Sequence, residues 1–302
     1  MSEPHSIHVP VLVEEVLHWL RPLPGQIFVD GTLGGGGHAR LIAERVGSQG
    51  CVVALDRDPT AVAAAQEVFA GLPIRAVHAD FRSLPSVLDE LRIAHVDGIL
   101  IDLGLSSDQL ADAARGFSFD SPGPLDLRFD PTTGEPAWRL VNRLGERELA
   151  DILFGFGEER RSRRIAREIV RRRAEMPIRT SAQLAAVVRR CVPRSKKHPI
   201  DPATRAFQAL RIAVNDELRA IETALSVIPD CLRAGGRLAM ISFHSLEDRR
   251  VKHAFRTDPR YMILTKKPIR PNEAEIERNP RSRSAKLRVA ERSAGAASVV
   301  QD

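Results

Sequence analysis

Four short strand-like runs in the first third of the chain, three of them apolar almost throughout, stop at an acid or run into a loop that carries one. They are Gln26-Ile27-Phe28-Val29-Asp30, Cys51-Val52-Val53-Ala54-Leu55-Asp56, Ile74 to His78 with Asp80 close behind, and Ile99-Leu100-Ile101-Asp102 within Val96 to Leu103. A strand with one face in water alternates apolar and polar residues, whereas a continuous apolar run needs cover on both faces. Helical patterns separate the runs: His38 to Val46, with Leu41, Ile42 and Val46 on one face, then Pro59 to about Phe69, then Leu84 to Leu91. Strands alternating with helices in this way specify a parallel sheet covered on both sides, whose carboxyl ends line one crevice.

The alternation stops at about Leu110. From there to Val214 no strand pattern is found. A loop rich in Gly, Pro and Asp (Arg115 to Pro124) leads into helical patterns at 146–153, 160–175 and 181–191, broken by Pro177 and Pro193. The strand–helix grammar then resumes with a helix from about Asn215 to Leu232, a Gly235-Gly236 turn and the strand Leu238 to Phe243. A helix from Leu246 to Phe255 and two late strands, Tyr261 to Lys266 and Lys286 to Ala290, follow. The loop from Pro268 to Arg283 shows no crossover helix, so the last two strands are expected to pair antiparallel. The expected organisation is an α/β domain made of residues 1–109 and 215–302, interrupted by an all-helical insertion at 110–214. No internal repeat is visible.

The crevice carries the chemistry. Gly34 to Gly37 follow the first strand, and glycines there let backbone approach a ligand where a side chain would clash. Gly34-x-Gly36-x-x-Ala39 is only a loose dinucleotide-type match. Asp56, about twenty positions on at the end of the second strand, is placed to accept both hydroxyl hydrogens of a ribose. Asp80-Phe81 suits an adenine, and Asp102 stands where the reactive end of the ligand would lie. Plainer roles exist for each: Asp30, Asp56 and Asp80 as helix caps, Phe81 as core, His38 as the start of a helix. The turn and the ribose acid serve nicotinamide and flavin enzymes as well. The late hairpin favours the sheet of class I methyltransferases.

Composition bounds the rest. With 302 residues and 43% hydrophobic content, the core needs no disulfide or metal. Cys51, Cys191 and Cys231 are too scattered for either framework, and no metal-ligand cluster stands out. A reducing, cytoplasmic setting is expected, with no signal peptide and no membrane-spanning run. Net charge is +6, yet residues 139–200 hold 17 Lys/Arg against 7 Asp/Glu, a local +10. Arg160, Arg161, Arg163, Arg164, Arg167, Arg171, Arg172 and Arg173 fall on one helical pattern, and Arg189, Arg190, Arg194, Lys196 and Lys197 follow. Glu158, Glu159 and Glu168 are too few to cancel them, so phosphate contact is expected. Arg281, Arg283, Lys286 and Arg288 are candidates to extend that surface.

Several motifs together resemble the RsmH (MraW) family. They are His8-Val9-Pro10-Val11-Leu12, Asp30 to His38, Ala54-Leu55-Asp56-Arg57-Asp58, and Ile101-Asp102-Leu103-Gly104-Leu105-Ser106-Ser107-x-Gln109. Arg115 to Phe119, Gly123 to Arg128, Thr204 to Arg211 and Ile241 to Asp248 complete the set, in order from about residue 8 to Arg292. The resemblance implies a Rossmann-like class I methyltransferase sheet with a helical insertion that binds RNA. It also implies transfer of a methyl group from S-adenosylmethionine to N4 of a cytosine in the decoding region of bacterial 16S rRNA, within the small ribosomal subunit. By matching motif, Gly36, Gly37, His38, Asp56, Phe81, Asp102 and Gln109 are the expected cofactor contacts. Gly35 replaces a larger residue of some relatives, and the loop from Lys267 to Pro280 is short for a substrate contact.

A cytosine amino nitrogen is a weak nucleophile, so transfer needs positioning and an acceptor for the amino hydrogens. Asp102 is one candidate acceptor, or else a contact to the methionine part of the cofactor. Other amino-group methyltransferases carry Asn/Asp/Ser-Pro-Pro-aromatic here, and this chain has Asp102-Leu103-Gly104-Leu105 instead. The expected grip on the base is therefore the Ser242-Phe243-His244-Ser245 turn, with His244 either catalytic or structural.

Overall fold

The computed structural model describes residues 10–119, 122–192 and 201–295. His8, Val9, Arg194, Lys196 and Lys197 lie outside the described residues. Two compact units are formed, one from residues 1–106 and 218–302, the other from 107–217.

Along the chain come α1 (Val13–Leu20), β1 (Ile27–Asp30), α2 (Gly37–Val46), β2 (Cys51–Asp56), α3 (Pro59–Val68) and β3 (Ile74–His78). A 3-10 turn at Phe81–Ser83 leads to α4 (Leu84–Glu90) and β4 (Val96–Asp102). The second unit holds α5 (Ser107–Ala111), α6 (Ala137–Arg143), α7 (Glu146–Gly157), α8 (Ser162–Glu175), α9 (Ser181–Cys191) and α10 (Ala203–Asn215). Then follow α11 (Glu217–Cys231), β5 (Leu232–Ser242), α12 (Ser245–Thr257), β6 (Tyr261–Ile263), α13 (Glu273–Arg278) and β7 (Lys286–Arg292).

The seven strands form one sheet in the order β3-β2-β1-β4-β5-β7-β6. The four pairings from β3 to β5 are of one kind: β1 to β2 and β4, β2 to β3, and β4 to β5 all run parallel. Strand β7 alone is reversed, lying antiparallel to both β5 and β6. This is the Rossmann-like sheet of class I methyltransferases, with the antiparallel pair where the sequence places it. Phe28, Val52, Ala54, Leu100, Ala239, Ile241, Leu287 and Val289 cluster with α1 and α2 on one face. Their neighbours Val29, Val53, Leu55, Ile99, Ile101 and Met240 are equally buried. Successive strand residues point to opposite faces, so the apolar runs are covered twice.

Local chemistry sets the ends. Asp58 caps α3 by accepting from the Thr60 amide, and Pro59 opens the helix. Thr180 and Gln183 cap α9 reciprocally. Four details differ from expectation. Helix α1 was not foreseen, although Val16, Leu17 and Leu20 form its buried stripe behind Glu14 and Glu15. Helix α10, absent from the expected pattern, absorbs the Thr204–Arg211 motif; it ends at Asn215, and Asp216 with φ 52° separates it from α11, which falls where the helix from Asn215 to Leu232 is expected. Gly235 and Gly236 belong to β5, whose register against β4 jumps between Val96–Leu232 and Gly98–Arg237, so the expected turn is a bulge. Helix α13 adds six helical residues to the loop expected to hold no crossover helix, and it is too short to act as one.

Within the second unit no strand occurs among the described residues; Pro124 and Thr180 make an isolated bridge. The loop from Arg115 to Phe129 is pinned by helices of the same unit. Asn215 donates from Nδ2 to the Leu127 carbonyl at 2.7 Å and accepts from the Phe129 amide at 2.7 Å. Ser181 Oγ donates to the Gly116 carbonyl at 2.6 Å. Arg115, itself buried, donates to the carbonyls of Arg128 and Phe129. The two loop motifs are therefore structural fasteners of the insertion. Among the described residues no helix is long and apolar enough to cross a membrane.

Candidate active site

The turn after β1 is tied to both neighbouring strands. The Gly31 amide donates to the Leu100 carbonyl of β4, and the Leu33 amide to the Leu55 carbonyl of β2, each at 2.8 Å. The Gly34 amide donates to Asp56 Oδ2 at 2.7 Å. Gly36 caps α2 with φ 72°, a left-handed conformation that side-chain-bearing residues rarely adopt. A Cβ there would also sit 2.2 Å from the Phe69 ring, and one at Gly37 would sit 2.9 Å from Pro10 Cγ. Both glycines are demanded by backbone and packing before any ligand is considered.

The strand-end acids divide by task. Asp56 accepts the Gly34 amide on Oδ2 and the Asp58 amide on Oδ1 at 2.8 Å, with the Arg57 amide hydrogen-bonded to the same carboxylate. Burial raises its carboxyl above the ordinary range. Asp80 caps the 3-10 turn through the Arg82 amide at 2.9 Å and pairs with Arg57 at 3.2 Å and the Arg82 side chain at 2.9 Å. Of the three acids offered as caps, Asp80 does cap; for α3 the cap is Asp58 and not Asp56. Phe81 follows Asp80, with its Cβ 3.3 Å from where a Cβ on Gly31 would be.

Asp30 and Asp102 end adjacent strands. Asp30 is 1% exposed, and its Oδ1 accepts from the Thr32 amide at 3.1 Å. Burial pushes its carboxyl up to about 7, against opposing hydrogen bonds from Thr32 and Ala39. Thr32 reaches the other strand as well: its Oγ1 accepts from the Asp102 amide at 2.7 Å. Burial, then repulsion by Asp30 and Glu247, drives the Asp102 carboxyl well above its ordinary value. Asp102 Oδ2 lies 3.8 Å from His38 Nε2, while Oδ1 is buried without a hydrogen-bond partner among the described residues. A buried carboxylate oxygen left unmatched in this way costs free energy unless a donor or cation completes it.

The turn after β5 closes the same end of the sheet. The Leu103 amide donates to the Ile241 carbonyl at 2.9 Å, and the Phe243 ring lies 3.2 Å from where a Cβ on Gly104 would stand. Glu247, 1% exposed, accepts the Phe243 and His244 amides on Oε2 at 2.8 and 3.2 Å. His244 Nδ1 in turn accepts the Glu247 amide at 3.4 Å, so His244 and Glu247 cap α12 reciprocally. His244 Nε2 is 3.0 Å from Glu247 Oε1 but off the hydrogen-bonding line. In this structure the histidine ring serves the helix end.

The MraW methylase family model matches residues 5–293. Ribosomal RNA small subunit methyltransferase H of Rhodopirellula baltica is 50% identical, covering 96% of this chain and 93% of its own. The protein of the same name from Thermomicrobium roseum is 50% identical over 95% of this chain and 94% of its own. That from Geotalea uraniireducens is 48% identical over 97% and 100%. The chain belongs to the MraW methylase family.

For this methylase-family chain, the described structure brings six of the seven expected cofactor residues to one end of the sheet. Gly36, Gly37 and His38 open α2, Asp56 and Asp102 end β2 and β4, and Phe81 follows β3. Gln109 lies in α5, in the other unit. Sequence reasoning missed Thr32, which links Asp30 to Asp102, and Glu247. Glu247 was legible in principle: a polar residue three positions before a glutamate at a helix start is a capping-box pattern.

The arginine-rich segment of the insertion is less uniform than its sequence. Arg160 and Arg161 precede α8, and Arg161 donates to the Cys191 carbonyl at 3.2 Å. Arg171 pairs with Glu168 at 2.6 Å and Glu175 at 2.9 Å, Arg172 with Glu175 at 3.0 Å, and Arg167 with Glu146 at 3.5 Å. Arg173 donates to the Val141 carbonyl at 2.6 Å, and Arg189 pairs with Asp201 at 2.8 Å. The side chains of Arg160, Arg163 and Arg164 are exposed, and Arg164 lies beside Cys191 and Glu168. In the tail pattern, Lys286 and Arg288 both turn to Asp248, at 3.5 and 2.6 Å. Arg288 is buried, which removes it from any surface.

Proposed function

We propose that this chain transfers a methyl group from S-adenosylmethionine to N4 of a cytosine in the decoding region of 16S rRNA, within the small ribosomal subunit. The observation that carries the reading is Asp102: a buried carboxylate with an unmatched oxygen, crowded by Asp30 and Glu247, in a chain of a methylase family. Such a cluster favours a cationic ligand, and this donor carries both a sulfonium and an ammonium group. When bound, the donor supplies an electrophilic methyl group that a weak nucleophile can take by in-line displacement.

The chain's residues then do the positioning. Asp56 accepts the ribose hydroxyls, and Gly36 and Gly37 form the turn beside which the donor is held. His38, Phe81 and Gln109 complete the donor contacts. Asp102 either holds the donor's amino acid end or accepts an amino hydrogen of the cytosine, whose nitrogen lone pair is delocalised into the ring. The target base leaves its stack to enter. The Phe243–His244 turn grips it, in place of the missing Pro-Pro-aromatic motif. Arg160, Arg163 and Arg164 contact RNA phosphates.

Small subunits lacking the modification, incubated with radiolabelled S-adenosylmethionine and the protein, should acquire one label, mapped by mass spectrometry to a cytosine amino group. Label on a ring carbon, or none, would overturn the reading.

A further inference from the structure

Pro10, Val11 and Leu12 are the described part of a motif that lends no side chain to the strand-end acids. Their packing nevertheless reaches the glycine turn. A Cβ on Gly37 would lie 2.9 Å from Pro10 Cγ and 3.0 Å from Cδ, so the proline ring rests directly on the first residue of α2. The next residue, His38, lies 3.8 Å from Asp102. On the other side the Phe69 ring fills the space beside Gly36. The turn is thus clamped between two rings, one from the end of α3 and one from the N-terminal segment.

That segment is itself held in a conformation it would not choose. Leu12 is fully buried and left-handed, with φ 56°, at the start of α1, and no side chain caps that helix end. A non-glycine residue stays there only when its surroundings over-determine it. The Leu12 amide donates to Glu275 Oε1 at 2.7 Å, across 263 positions of sequence. Glu275 sits on α13, whose first turn Asn272 caps by accepting the Glu275 amide at 2.8 Å, so the carboxylate is available for this distant partner.

We infer that Glu275 is a positioning residue, holding Leu12 so that the Pro10 ring braces Gly37 and fixes the glycine turn. The segment between β6 and β7 then acts on the cofactor site from behind rather than on the substrate. The consequence for donor binding rests on the function proposed above; the brace itself does not.

Hydrogen exchange of the Gly34–His38 amides in the ligand-free protein tests the brace directly. Glu275→Ala should speed that exchange roughly tenfold, as expected when a local opening loses one buried restraint. Glu275→Gln keeps an accepting oxygen and should restore the slow exchange. Donor affinity by calorimetry should weaken about fivefold in the alanine variant, the typical worth of one hydrogen bond. The corresponding rise belongs in KM, with kcat at saturation retained. Pro10→Ala, which leaves the Glu275 bond intact, should speed exchange at the same amides even if Glu275→Ala folds poorly. Unchanged exchange in Pro10→Ala, or a glutamine variant as fast as the alanine one, would overturn the inference. Faster exchange with unchanged donor affinity would uphold the brace and count against the donor-binding reading instead.

Discussion

The two units handle charge in opposite ways. In the sheet unit, Asp30, Asp102 and Glu247 are buried, with Asp102 repelled by the other two, and Asp102 keeps an oxygen unmatched among the described residues. In the insertion, a much larger number of charges sits mostly at the surface, and most of the arginines of α8 and its flanks are matched by a glutamate or a carbonyl. Charge density along a sequence therefore ranks the regions wrongly. A few carboxylates in the wrong dielectric say more about function than a run of arginines mostly matched within the insertion.

Substitutions in each unit can break or sharpen that contrast. Asp56→Ala removes both ribose acceptors and strands the Gly34 and Asp58 amides, and should weaken donor binding by roughly a hundredfold or more by calorimetry. Retained affinity would take the ribose away from Asp56. Gly116→Ala places a Cβ 2.2 Å from the Pro124 carbonyl at φ 72°, which should lower unfolding free energy by about 2–4 kcal/mol in denaturant titrations. Donor affinity should survive, since the damage is confined to the insertion's fastener.

The acids predict a pH dependence. A carboxyl whose folded pKa is raised binds its proton more tightly in the native state. Stability from Asp30 is therefore full below about pH 4 and is lost as pH rises towards its folded value of about 7. Asp102, shifted the same way, adds to the slope. The ligand-free protein should lose a few kcal/mol at most over that window. Asp102→Asn should flatten the profile of melting temperature against pH; an unchanged profile would mean that the two acids are not coupled.

The smallest effects belong to the arginines. Charge reversal of Arg160, Arg163 and Arg164 together should weaken binding to small-subunit RNA about tenfold and lower the salt slope by about two, with donor affinity untouched. Arg171→Ala, which removes only exposed pairs with Glu168 and Glu175, should leave RNA binding and melting temperature unchanged. If both variants behave alike, local pairing does not decide which arginines meet RNA.

Much of this architecture was legible because it depends on local pattern. Apolar runs such as Val52 to Leu55 can only be doubly covered strands, and Pro59 behind Asp58 can only open a helix. The seven-stranded sheet with its reversed strand β7 followed from such runs. Helix α1 was not legible, since eight residues with three buried positions give too short a stripe. The bulge at Gly235 looked like a turn because glycine permits both. At the site, the glycines and strand-end acids were found, while Thr32, Glu247 and Pro10 were not. Thr32 and Pro10 matter through contacts that only the folded chain brings together, whereas Glu247 follows His244 in a capping-box pattern. His244 was singled out for its chemistry, and the structure uses it to cap α12.

The path of the chain through the sheet sets a schedule for synthesis. Strand β4 ends at Asp102 and its other neighbour, β5, begins at Leu232, so about 130 residues are made in between. At typical ribosomal speeds that is on the order of 10 s. For that interval the nascent half-sheet presents an unpaired central strand whose Ile99, Leu100 and Ile101 are destined for full burial. Open apolar edges of this kind recruit other chains. The insertion, with a core of its own, can fold while the edge waits. The emergence of this chain thus leaves it exposed, and holdase protection at the exit site should matter most between β4 and β5.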